Sequence, residues 1–103
     1  MADRERRVVW SDAALSALEE VLDYIAADSP RSAQHVGEQA IAAAASLATL
    51  SERGRIVPEV GDPNVREILV FRYRLMYELT ATEVRILAFV HGARDFGDLR
   101  QRK

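Results

Sequence analysis

The chain has 103 residues, of which 49% are hydrophobic and 29% charged, with a formal net charge of −2. That length supports one hydrophobic core and argues against a second domain, and the absence of cysteine excludes both a disulfide framework and a thiolate metal site. The slightly acidic balance argues against a general nucleic-acid binder, which needs a broad basic footprint.

Of the 14 basic residues thirteen are arginine, the better residue for bidentate recognition of carboxylate or phosphate, so a local phosphate site remains open. Residues 1–7 are charged and lead only into a short apolar stretch before Ser11 and Asp12, which is not the pattern of a signal peptide. The alanine-rich run at 40–50 is broken by Ser46 and Thr49 and falls short of the roughly 20 apolar residues of a membrane span. With only two histidines a conventional zinc site is not expected, and the expectation is a cytoplasmic protein without metal or cofactor.

Arg7-Val8-Val9-Trp10 reads as a short first strand, β-branched and aromatic. Ser11 and Asp12 supply oxygens that can accept the unpaired amides of a first helical turn. Leu15, Leu18, Val21, Leu22 and Ile25 recur at helical spacing, predicting an amphipathic helix from about 12 to 27. Ser29-Pro30 is a second start, with proline at a position where its missing N–H costs nothing. Ala33, Val36, Ala40, Ile41, Ala44, Leu47 and Leu50 continue the apolar stripe of this second helix. So short a joint makes the two helices an antiparallel hairpin.

Across 51–64 the periodicity stops and Gly54, Pro58, Gly61 and Pro63 predict a surface connection. Strands follow at 65–71, 73–79 and 84–90, with 80–83 as a hairpin loop. The tight join near Arg72 leaves the register open by one residue, and such a slip would reverse every side chain. Ile86 to Val90 is almost continuously apolar, which predicts a central strand buried on both faces. The whole predicts a single α+β domain, β-α-α-β-β-β, with a helical hairpin on a small sheet and a short C-terminal tail or helix.

Several local patterns point to a family. Trp10-Ser11-Asp12-Ala13-Ala14, Tyr24-Ile25-Ala26, and Ser29-Pro30 with Ala33 resemble the opening of RelE/ParE toxins. Leu50 followed by Gly54-Arg55, Pro58-Glu59, Arg66-Glu67, Tyr73-Arg74-Leu75-Met76-Tyr77 and Val90-His91-Gly92-Ala93-Arg94-Asp95 extend the resemblance over most of the chain. The resemblance implies a helical hairpin on a twisted antiparallel sheet. It also implies the toxin half of a type II toxin–antitoxin module of the plasmid-stabilisation kind, silenced by a cognate antitoxin. Such a protein meets DNA only through that antitoxin and assembles as a homodimer or heterotetramer.

The family divides by target: RelE-like members cleave messenger RNA on the ribosome, and ParE-like members poison DNA gyrase. A metal-free ribonuclease must activate a ribose hydroxyl, stabilise a pentacoordinate phosphate and protonate the leaving oxygen. By resemblance to one nuclease branch, Glu59 would be the base, Arg66 the phosphate clamp and His91 the acid. Gly92, where that branch has a stacking aromatic, and the single terminal lysine depart from the nuclease pattern. The His-Gly-x-Arg-Asp ending is more ParE-like, so gyrase inhibition is the favoured expectation and ribosome-dependent RNA cleavage the alternative. A third alternative is a non-toxic member retained for antitoxin binding and autoregulation.

Under the ParE-like reading, Arg55, Arg74, Arg94, Phe96 and Leu99 would contact the target or the antitoxin. Each candidate has a plainer reading. Arg66 with Glu67, and Arg74 with Glu78, can be read simply as cross-strand ion pairs worth under about 1 kcal/mol each. His91 can cap the sheet, and Trp10, Tyr24, Tyr73 and Tyr77 read as core or core-edge aromatics.

Overall fold

The structure is a computed structural model that describes residues 5–92. Serine caps start both helices as the sequence predicts. After β1 (Arg7–Trp10), Ser11 Oγ accepts the Ala14 amide at 3.0 Å and opens α1 (Asp12–Ala26). Ser29 Oγ accepts the Ser32 amide at 3.2 Å and opens α2 (Pro30–Ser46), with Pro30 in its first turn. The two helices lie against each other, with Gly37 of α2 close to Leu22 of α1: a Cβ at Gly37 would stand 3.3 Å from a Leu22 methyl.

The remaining strands are β2 (Arg55–Ile56), β3 (Val65–Val70), β4 (Tyr73–Leu79) and β5 (Glu83–His91), in the sheet order β1-β5-β4-β3-β2. Tight turns force β3, β4 and β5 into an antiparallel meander. The sheet as a whole is mixed rather than entirely antiparallel, because β1 pairs with β5 in parallel. No turn joins these two strands, so tertiary packing sets their relative direction. β2 lies within the segment expected to be plain connection.

The strand buried on both faces is β4 and not β5. Leu75, Tyr77 and Leu79 of β4 join the main core, while Arg74 and Met76 are buried on the opposite side. In β5 the burial alternates, and Leu87, left without a partner where the register shifts beside Met76, is 38% exposed. The core is completed by Ala14 and Leu18 of α1, Ala40 and Ala44 of α2, Leu47, and Ile68, Val70, Val84, Ile86 and Phe89 of the sheet. Small alanines let α2 lie close. Leu15, Ile41 and Leu50, expected in the apolar stripe, are exposed, and Tyr24 is 81% exposed rather than a core aromatic.

The β3–β4 turn settles the register left open by the sequence. Val70 faces Tyr73, so Phe71 and Arg72 form a two-residue loop. Phe71 has φ of 56° and is the only non-glycine residue among those described with positive φ. A positive φ at the first loop residue alone follows the type II′ pattern, which glycine normally fills. A bulky residue there costs on the order of 1–3 kcal/mol.

Tyr77 is fully buried, and its hydroxyl accepts the Gly54 amide at 3.0 Å. Burial pushes its pKa up, and the Gly54 hydrogen bond and nearby arginines only partly oppose this. A phenol with a raised folded-state pKa contributes stability that is present below its unfolded value near 10 and lost as pH rises through the folded value. We therefore expect denaturation midpoints of the wild type to fall above about pH 10. The variant Tyr77→Phe, weaker by about 1–3 kcal/mol at neutral pH because the Gly54 amide loses its acceptor, should fall less over that range. Parallel curves would show that the Tyr77 hydroxyl ionises as readily in the folded protein as in the unfolded chain.

Candidate functional site

On the sheet face away from the helices, four charged side chains form one network. Glu67 of β3 and Arg74 of β4 lie on the same face in diagonal register, and their side chains are only 1% and 5% exposed. Arg74 Nε donates to Glu67 Oε1 at 2.6 Å, and Arg55 Nε of β2 donates to Glu67 Oε2 at 2.6 Å. The Arg74 fork then grips Glu59 with both terminal nitrogens, at 3.0 and 2.8 Å. The segment after β2 is thereby fastened to the open sheet face. Val57 is fully buried, and with Met76 it lies outside the main core cluster.

Two arginines and two glutamates cancel in charge, and every link is charge-assisted, the strong class of hydrogen bond. The Glu59 carboxylate, with Glu67 beside it, raises the pKa of Arg74 further above its ordinary value, outweighing the burial that opposes the charge. Arg74 thus stays protonated throughout the range in which the protein is folded.

Beside the network an open groove of about 520 Å³ is lined by Arg55, Glu59, Arg72, Arg74, His91 and Gly92, with Pro58, Leu69 and Phe71. Glu59 and His91 therefore border one space. Arg66 does not reach it. It stands opposite Tyr77 on the helix-facing side, and donates to the carbonyls of Pro63 at 2.9 Å and Gly54 at 3.0 Å. Arg66 braces the connection, whereas Arg74 is the guanidinium that meets Glu59. The side chain of His91 packs edge-on to Tyr73, ring centroids 5.6 Å apart.

Neither expected surface pair forms as read: Arg66 holds backbone carbonyls, and Arg74 holds Glu59 and Glu67 rather than Glu78. Arg55 and Arg74 share the face, as candidates for contact with a target or antitoxin, while Arg94, Phe96 and Leu99 lie outside the described residues. The sequence did contain a signal for the buried pair. Arg74 is a single charge inside Tyr73-Arg74-Leu75-Met76-Tyr77, and a charge in a strand buried on both faces needs a partner.

A helical hairpin on one face of a five-stranded mixed sheet, with a charged network and groove on the other, fits the α+β architecture that the resemblance to RelE/ParE toxins implies. Residues 8–96 match the family described as the ParE toxin of the type II toxin–antitoxin system, parDE. The chain is 36% identical over 89 residues to Toxin RelE2 of Caulobacter vibrioides, covering 85% of this chain and 97% of that one. Its fold is also similar to a solved structure described as a chromosomal ParDE system from P. aeruginosa. That likeness has a TM-score of 0.70 at 17% identity and covers 86% of this chain and 98% of the other. The chain belongs to the ParE/RelE family and is the toxin component of a type II toxin–antitoxin system, which makes a cognate antitoxin its partner.

Proposed function

We propose that this toxin is ParE-like: it inhibits DNA gyrase through a protein–protein surface, and its antitoxin neutralises it. The observation that carries this reading is the closed network around Glu59. Both Glu59 oxygens already accept from the Arg74 guanidinium, so protonating Glu59 would weaken that bidentate, charge-assisted pair. Arg66, the guanidinium expected to hold a phosphate, is engaged by carbonyls on the other face. The slightly acidic chain likewise lacks the basic balance that a ribosome-bound nuclease would use.

Ribosome-dependent RNA cleavage is the second reading, favoured by one specific observation: the residues Glu59, Arg74 and His91 line the same groove. The variant Glu59→Gln separates the two. Expressed without antitoxin, the wild type should arrest growth and the purified protein should lower gyrase supercoiling. Glu59→Gln should keep both effects within about threefold, because Gln can still accept from Arg74. Loss of arrest by about 100-fold or more, together with loss of messenger cleavage, would establish the nuclease instead. No arrest by the wild type would point to the non-toxic, autoregulatory alternative.

A further inference from the structure

The β3–β4 turn combines features that do not serve the fold. Phe71 sits at a φ of 56°, where a glycine would be unstrained, yet its side chain stays 55% exposed. The strain is therefore not offset by deep burial. Its described ring contact is with His35 of α2, centroids 5.3 Å apart. Leu69, one turn-ward residue of β3, is 69% exposed. Three open grooves, of about 520, 340 and 560 Å³, all have Phe71 in their walls, and Leu69 lines two of them.

The charges around this apolar point are not balanced. Arg72, in the turn, and Arg31, at the start of α2, line the grooves on its two sides, are exposed, and have no ion-pair partner among the described residues. Of the acidic groups nearby, Glu59 holds Arg74, while Glu38 accepts only from the neutral Gln34 amide at 3.1 Å and keeps its charge in the groove that Arg31 lines. Arginines thus outnumber carboxylates around these grooves without being wholly unopposed. An exposed aromatic at the meeting of grooves, flanked by an excess of arginines on a protein of net charge −2, complements an acidic and amphipathic partner.

We propose that the Phe71 turn is a docking surface for an acidic amphipathic segment of the antitoxin. An apolar side chain of that segment seats against Phe71 and Leu69, and its carboxylates meet Arg31 and Arg72. The proposal rests on the toxin–antitoxin reading for the existence of the partner, and on the turn for where that partner binds. The strained conformation is retained because it holds the ring outward, at the junction of the grooves.

The test uses the full-length toxin and the antitoxin encoded with it, in calorimetric titrations. Phe71→Gly relieves the positive φ, so it should melt at or above the wild-type temperature while binding antitoxin about tenfold more weakly or worse. The double variant Arg31→Glu/Arg72→Glu should weaken binding by about 10- to 100-fold, and the loss should shrink as salt is raised. Wild-type affinity in both variants overturns the proposal, as does a large fall in the melting temperature of Phe71→Gly, which would make the ring structural. Growth arrest separates this from the parent reading. Variants that still arrest growth but escape the antitoxin support the proposal, whereas variants that lose toxicity and bind antitoxin normally assign the turn to the target. Altered self-association with unchanged antitoxin binding assigns it to a second copy and likewise overturns the proposal. A wild type that causes no arrest removes the toxin reading but leaves the titrations able to decide the docking site.

Discussion

Replacing Arg74 with alanine should cost about 3–5 kcal/mol, because it leaves the buried Glu67 carboxylate without its strongest partner. At roughly 4–8 °C per kcal/mol for a domain of this size, the melting temperature should fall by more than about 10 °C. Arg55 would remain on Glu67, but the Arg55 side chain is 67% exposed and screened by solvent, so it compensates only in part. Arg74→Lys should be only a partial rescue, since an ammonium cannot fork to Glu59 while donating sideways to Glu67. The double variant Arg74→Met/Glu67→Met should recover much of the loss, because two apolar groups replace two charges in a site that excludes water. Glu59, whose side chain is 20% exposed, can then turn toward solvent. Urea denaturation of the three variants measures these differences. An Arg74→Ala protein with wild-type stability would mean that water solvates the network and that it does not fasten the segment after β2.

The second large effect is expected at Gly54. A Cβ there would lie 2.6 Å from the Glu67 carbonyl oxygen and 2.5 Å from the Tyr77 hydroxyl. The Tyr77 ring is fully buried and cannot move aside, and the carbonyl belongs to the backbone of β3. Gly54→Ala must therefore push β2 off β3 or break the hydrogen bond between the Gly54 amide and Tyr77. Overpacking of about 1–3 kcal/mol and an unpaired buried donor of similar cost should together give a loss of about 3 kcal/mol or more. Because Arg55 and Arg66 both depend on the path of the chain here, the same variant should also loosen Glu59. Faster hydrogen exchange at 55–60 would report that loosening. A variant that keeps its melting temperature within a few degrees would show that β2 can shift freely at the sheet edge.

Much of the architecture was legible because it rests on local chemistry. Ser11, Ser29 and Pro30 mark helix starts through groups within three residues of each other. Alternation in 73–79 marks a strand, and the short links at 71–72 and 80–82 oblige its neighbours to run antiparallel. The patterns that resembled the family are local in the same sense, and they led to the family to which the chain belongs. The site was less legible. Glu59 and His91 were singled out and do border one groove, but the arginine that completes the geometry is Arg74. Arg66 and Arg74 lie in adjacent strands, and only the pairing of Val70 with Tyr73 places them on opposite faces.

The sequence by itself determined the order of the elements other than β2, the helical hairpin, the antiparallel meander and the toxin family, since each depends on contacts among residues near in the chain or on recurring motifs. Only the tertiary structure decided that β1 runs parallel to β5, that Tyr24 stays in solvent, and that Arg74 is buried between Glu59 and Glu67. These outcomes depend on which elements meet across the sheet. A guanidinium on a strand becomes a surface charge or a buried clamp according to what another segment, 7 or 15 residues away, brings opposite it.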